Sequence, residues 1–386
     1  MNKEIPLSVP NLNVAIIENL RECVETGWVS TGGRFITEFE KKVAVYVGTA
    51  DAVSVQSGTA GLHVALRVLG VKTDEEVIVP TLTFIAAVNP AGYLGAEPVF
   101  MDCDDSLCMD PEKLEKFCRV ECMRTENGLI HKTNGKRIRV IVVVHVFGNM
   151  ADMERIMEIA SEYDLKVLED ATEALGSYFT AGRYKGKFAG LIGDMGVYSF
   201  NANKIITTGG GGMIVSNDQK LLDESRYLSI TAKNDSLYFV HDDIGYNYRM
   251  LNIQAAIGVS QIDDLERFIE TKKTNYLLYQ EHIKDERGIK LLPFAGTIRP
   301  NYWFYSLLID EKRFKESRDA LMHRLIARGI QCRPLWKLTH TQRPYLNCQS
   351  FEIQKAEFYV ERILNVPCST NLTPEDVRTV CHEIFI

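Results

Sequence analysis

The chain is short of long apolar runs. Its most apolar internal stretch, "VIVVVHVFG" (140–148), falls far below the roughly 20 residues a membrane-spanning helix needs. The opening "MNKEIPLSVPNLNVAIIENL" has no apolar core behind a basic start. No signal peptide is therefore expected, and the cytoplasm is the expected compartment. There is no excess of positive charge either: the net charge is -7, which argues against nucleic acid or an anionic membrane as the main partner. No CxxC pair occurs among the nine cysteines, an odd number that fits reduced thiols. Cys103, Cys108, Cys118 and Cys122 fall close together, yet buried thiols are a plainer reading than a zinc site, and no metal is expected. There is no G-x-S-x-G turn of a serine hydrolase, and His145 reads as a hydrogen-bonded core histidine. "GGGG" (209–212) lacks the Gly-Lys-Ser/Thr ending of a nucleoside triphosphate loop, and no G-x-G-x-x-G follows the first strand. Internal repeats and low-complexity segments are absent too.

The 386 residues, 46% hydrophobic and 25% charged, instead describe an ordinary globular chain long enough to bury most of its surface. Short β-branched or apolar runs read as buried strands: "AVSVQ", "EVIVP", "PVFMD", "RVIVVVHV", "LKVLED", "MGVYSF" and "GGMIVS". Helical patterns separate the first five: "TAGLHVALRVLG", "TFIAAVNPAGYLG", "PEKLEKFC" and "MADMERIMEIASEYD". This alternation predicts an α/β fold with a mixed, mostly parallel sheet flanked by helices. The polar stretch 119–139 reads as a solvated excursion. A long helical stretch over 251–283 then leads into scattered strands and helices. The expected division is a large domain of residues 1–255, N-terminal segment included, and a small C-terminal α+β domain of residues 256–386.

Ligands of such sheets bind beyond the carboxyl ends of the strands, so polar residues there are the candidates. Ser57, Gly58, Thr59 and Ala60 follow a strand and open a helix, which makes either an anion site or an ordinary helix cap. Glu169 and Asp170 end "LKVLED"; a semi-buried carboxylate there either caps the next helix or holds a proton on a heterocyclic nitrogen. Ser199 and Lys204 follow "MGVYSF" in "VYSFNANKIITTGGGGMIV" (197–215). A lysine against an apolar wall has a lowered pKa and becomes a nucleophile toward aldehydes. A lysine snorkelling to solvent is the bland alternative, while the glycines permit close backbone approach to a ligand or a simple hinge. Together, an anion cradle, a carboxylate and a reactive lysine match what pyridoxal phosphate needs.

These stretches, with "GWVSTGGRFITEFEKKVAVYVG", "PTLTFIAAVNPAGYLGAEPVFMDCD" and "GYNYRMLNIQAAIGVSQI", resemble the DegT/DnrJ family of sugar-nucleotide aminotransferases almost end to end. The resemblance implies a fold type I, pyridoxal 5'-phosphate-dependent enzyme. It implies Lys204 as the Schiff-base lysine and Asp170 as partner of the pyridine nitrogen. Gly58, Thr59 and Ser199 match the phosphate cradle, and Phe84 the aromatic that stacks on the ring. Glu173 falls near the ring hydroxyl, where the family often has histidine or glutamine. Asn247 matches an asparagine reaching the phosphate from the partner subunit, which implies a homodimer. "NKIITTGGGG", "VHDDIGYNYR", "NYWFYSLLI" and "RPLWKLTH" resemble enzymes that aminate UDP-4-keto-6-deoxy-N-acetylglucosamine for bacillosamine and legionaminic acid synthesis. Thr172, Asn201 and Ala202 depart from that subgroup. The expected reaction moves an amino group from L-glutamate to the sugar's C4, for surface glycan synthesis. A GDP- or TDP-linked ketosugar is the alternative. More distant are a dehydratase, disfavoured because related dehydratases have histidine in place of Lys204, and a non-catalytic binding protein. "TGWVSTGG" and "CRPLWK" are expected near the sugar-nucleotide cleft, although Arg333 and Trp336 also read as packing residues.

Overall fold

The computed structural model describes residues 4–235 and 237–386; Met1–Lys3 of the N-terminal stretch lie outside the described residues. Seven apolar runs do become strands of one ten-stranded sheet. In spatial order its path runs Ala52–Val55, Gly212–Val215, Met195–Ser199, Lys166–Asp170, Arg137–Val144, Glu76–Pro80, Glu97–Met101 and Ser350–Phe351. From Met195–Ser199 onward every neighbouring pair along that path is parallel. Gly212–Val215 runs against both of its neighbours. The strands are buried nearly throughout, because helices cover both faces and leave no polar side for alternation to mark.

The covering helices start where the sequence supplies caps. Ser57, Asp110, Asp152 and Asp218 each accept a backbone N–H with their side chains at the starts of Gly58–Val68, Pro111–Val120, Met153–Tyr163 and Gln219–Ser229. The stretch 83–95 is not one helix. A 3₁₀ turn, Ile85–Ala87, precedes the short helix Asn89–Tyr93, because Pro90 offers no N–H and disfavours helical geometry in the residue before it. The stretch 251–283 likewise divides into Asn252–Asp263 and Leu265–His282. At the break, Asp264 accepts a hydrogen bond from Asn13 Nδ2 at 2.6 Å.

Residues 119–139 depart most from expectation. Cys122–Thr125 and Gly128–His131 pair as an antiparallel hairpin, and the second strand joins the start of Arg137–Val144. His131 is fully buried, with Nδ1 2.8 Å from Glu76 Oε2, and Asn134 Nδ2 donates to Glu76 Oε1 at 2.6 Å. Most polar residues of the stretch are exposed, as a solvated excursion requires, but His131 and Asn134 satisfy a buried glutamate. The four clustered cysteines are buried thiols, and burial pushes Cys108 and Cys122 up to about 12.

Toward the C-terminus a second, antiparallel sheet runs Ile289–Leu291, Tyr305–Ile309, Ile363–Val366 and Arg333–Pro334. "QCRPLW" contributes only the last of these, because its proline removes a ladder donor. The N-terminal segment lies along this region: Ile5 N–H donates to Gly329 O and Cys368 N–H to Leu7 O. Among the described residues no helix is long and apolar enough to cross a membrane.

Helix Arg34–Val47 joins the sheet to helix Asn252–Asp263 through Phe39. Its ring is fully buried, with its centroid 4.9 Å from that of Phe200. A methyl group at Gly258 would fall 2.6 Å from that ring, so the glycine is what admits it. Phe39→Ala is expected to lower stability by about 3–5 kcal/mol, read as a lower urea midpoint; a loss under about 1 kcal/mol would mean the site collapses onto the gap.

Candidate active site

Three strand ends meet on one edge of the sheet. Beyond Ala52–Val55, Ser57 caps helix Gly58–Val68, its Oγ accepting from Ala60 N–H at 3.0 Å. Lys166–Asp170 ends at Asp170, and Met195–Ser199 ends at Ser199. Gly211, at φ +133°, turns the chain back into the reversed strand. A methyl group on Gly212 would lie 2.6 Å from the Ser57 carbonyl oxygen. The glycine run therefore lets one backbone pass directly against the start of the helix.

These elements surround a cavity of about 350 Å³. Gly58, Thr59, Phe84, Asp170, Glu173, Ser199 and Lys204 all line it. Asn247 does not: it is exposed in the single chain, bridged to Ile230. "TGWVSTGG" and Arg333 are also outside this wall. Trp28 is exposed, and its carbonyl accepts from Asn252 Nδ2. Trp336, however, lines the cavity, its ring 6.5 Å from Phe84 and 4.9 Å from Phe147.

The charged groups of the cavity are enclosed. Asp170 Oδ1 accepts from Thr172 N–H at 3.1 Å, and burial holds its carboxyl above the usual range. Glu173 Oε2 accepts from Phe147 N–H at 2.9 Å, and its Oε1 lies 3.6 Å from Lys204 Nζ. Burial pushes Glu173 up to about 7 and lowers Lys204 below the ordinary lysine value. Glu169, the neighbour of Asp170, points to the opposite face, as strand alternation requires. Its carboxylate accepts the N–H groups of Gly190, Ile192 and Gly193 and pairs with His145 Nε2 at 2.8 Å. Ala151 N–H donates to His145 Nδ1 at 3.3 Å, which leaves Nε2 to face the Glu169 carboxylate. His145 is thus a hydrogen-bonded core histidine.

Trp303 was not foreseen as a site residue. Lys204 Nζ sits 3.9 Å from the centre of its ring, a cation–π geometry. Its indole Nε1–H donates to the Asn203 carbonyl at 2.8 Å. The local pattern "NYWFYSLLI" marks a strand; nothing in it points back to the distant lysine. The assembled wall fits pyridoxal phosphate. Backbone N–H groups at a helix start and the Ser199 hydroxyl suit a phosphate, a buried carboxylate suits a ring nitrogen, and a half-exposed phenylalanine suits a ring face.

Known proteins are similar to this chain over nearly its whole length. The profile of the DegT/DnrJ/EryC1/StrS aminotransferase family matches residues 10–385. The GDP-perosamine synthase of Escherichia coli O157:H7 is 36% identical over 385 residues, covering 99% of this chain and 98% of that protein. The GDP-perosamine synthase of Caulobacter vibrioides is 34% identical over 378 residues, covering 97% and 96%. Among solved structures, the aminotransferase TlmJ from Streptoalloteichus hindustanus superposes with a TM-score of 0.88 at 27% identity, covering 99% of this chain and 98% of that one. The Escherichia coli and Caulobacter relatives are named for a GDP-sugar, not for the UDP-sugar subgroup that the local motifs resemble.

A methyl group at Gly58 would sit 3.0 Å from Ser199 Cβ and Thr172 Cγ2, crowding the helix start against the serine. Gly58→Ala is expected to weaken pyridoxal phosphate binding at least about tenfold, roughly 1.4 kcal/mol, in an absorbance titration, with the circular dichroism spectrum unchanged. Unaltered affinity would remove this turn from the phosphate cradle.

Proposed function

The chain belongs to the DegT/DnrJ/EryC1/StrS aminotransferase family, and we propose that it moves an amino group from L-glutamate to C4 of a GDP-linked 4-keto-6-deoxy sugar. It is a pyridoxal-phosphate-dependent sugar aminotransferase. The observation that carries the reaction is the Lys204 amine, enclosed in one cavity with Asp170 and the N-terminus of helix Gly58–Val68. The nucleotide rests on the two relatives named GDP-perosamine synthase.

When bound, pyridoxal phosphate supplies an aldehyde carbon and an electron-accepting ring. The N–H groups of Gly58 and Thr59, with the Ser199 hydroxyl, hold its phosphate through the positive end of the helix. Asp170 would keep a proton on the ring nitrogen; burial raises this carboxyl, and a cation held beside it would lower it again. Lys204 Nζ is the amine that would hold the aldehyde carbon. When free, the same amine would accept and return the proton of the donor's α-carbon as general base and acid. Phe84 covers one ring face, and Trp336 screens the opening from water. Asn247 acts on the phosphate of a second copy, so the working unit is a homodimer. Residues 1–255 hold the cofactor, while residues 256–386 contribute Trp303 and Trp336. The setting is cytoplasmic, where nucleotide sugars are prepared for surface polysaccharide.

Incubation with L-glutamate and GDP-, TDP- or UDP-linked 4-keto-6-deoxy sugars, with mass spectrometry of the products, tests the reading. The GDP sugar is expected to be aminated fastest. Lys204→Ala should abolish turnover, and Asp170→Asn should lower it between about 10²- and 10⁴-fold. A UDP or TDP sugar aminated tenfold faster would overturn the nucleotide; normal turnover in Lys204→Ala would overturn the mechanism.

A further inference from the structure

Glu173 faces Lys204 across the cavity, and its surroundings give the carboxylate a use a carboxamide cannot have. Two contacts fix it: Phe147 N–H binds Oε2 at 2.9 Å, and Asn301 Nδ2 donates to the Glu173 main-chain carbonyl at 2.9 Å. Phe147 is held at φ 58° within the tight turn Val146–Gly148, an uncommon conformation for a phenylalanine. That turn aims its N–H at the carboxylate, a strained contact of the kind found at working sites. The other oxygen, Oε1, is left facing Lys204 Nζ at 3.6 Å, a small side-chain rotation short of a hydrogen bond. Asn301 also orders the far side of the lysine, because its Oδ1 accepts from Trp303 N–H at 3.0 Å.

We infer that Glu173 is the proton acceptor for Lys204, so that the lysine becomes a neutral nucleophile by passing its proton to the facing carboxylate rather than to solvent. The step is Lys204–NH₃⁺ plus Glu173–COO⁻ giving Lys204–NH₂ plus Glu173–COOH. One N–H bond breaks, one O–H bond forms, and the net charge of the site is unchanged. Two facing charges in an enclosed site are penalised by lost hydration, and the neutral pair is not. Burial drives both groups the same way, raising the carboxyl and lowering the amine. Asp170 and the Trp303 ring oppose the transfer by stabilising the ammonium, and Asp170 also favours a protonated Glu173. Cys108 lies close to Glu173 as an un-ionised thiol. Because the proton stays inside the pair, the fraction of free amine is set by the site and not by bulk pH while the pair holds one proton.

The inference rests on Lys204 being the cofactor lysine, but its test does not need turnover. Lys204 reactivity is measured in cofactor-free protein by competitive labelling with acetic anhydride from pH 6 to 10, with the Lys204 peptide quantified by mass spectrometry. In the wild type, reactivity is expected to change less than about threefold between pH 6.5 and 8.5. In Glu173→Gln, which keeps an acceptor for Phe147 N–H, the lysine must lose its proton to water. Its reactivity should then fall about tenfold per pH unit below its own ionisation, the slope of a single titration. Glu173→Asp should restore the plateau. A Glu173→Gln profile that is flat or superimposes on the wild type overturns the inference. A wild-type absorbance titration with pyridoxal phosphate separates the two ideas: no Lys204-dependent band would overturn the cofactor reading while leaving the labelling result to judge the pair.

Discussion

A single amine withheld from water is the constraint around which this site is organised. Lys204 reaches the cavity from a loop, and a lysine there would ordinarily extend to solvent. Here its side chain is 12% exposed, with an indole face on one side and a carboxylate on the other. Enclosure costs the ammonium its hydration, and that cost lowers the amine below the ordinary lysine value.

Maintaining the enclosure falls to groups far apart in the chain. The fully buried Asn301 holds Glu173 through its carbonyl and Trp303 through its N–H. The two partners of the lysine are therefore spaced by one side chain. Ser8 Oγ and Trp303 Nε1 both donate to the Asn203 carbonyl. The N-terminal segment thereby bears on the residue next to the lysine. Below this layer, Glu169 and His145 hold the 190–193 loop. They keep the strand carrying Asp170 in place without touching the cavity.

Much of this was legible in the one-dimensional pattern. Apolar runs bounded by Ser, Asp and Gly gave strands and capped helices, because fully buried parallel strands and helix caps have local signatures. The candidate residues Gly58, Asp170, Ser199 and Lys204 were legible for a related reason: each directly follows or ends a strand, and parallel strands deliver their ends to one edge. The hairpin at 122–131 was not legible. Its one buried polar side chain, His131, pairs with the buried Glu76, 55 positions away. Trp303 was missed on the same ground, since its relation to Lys204 exists only after the C-terminal segment folds back.

The sequence by itself determined the order of strands and helices, the helix starts, and which residues stand at the sheet edge, since these follow from neighbours a few positions apart. Tertiary structure alone decided that Glu173 faces Lys204 while Glu169 faces away, that Trp303 lies against the amine, and that the lysine is enclosed. Those outcomes depend on burial, and burial is set by how distant segments pack, which no local spacing records.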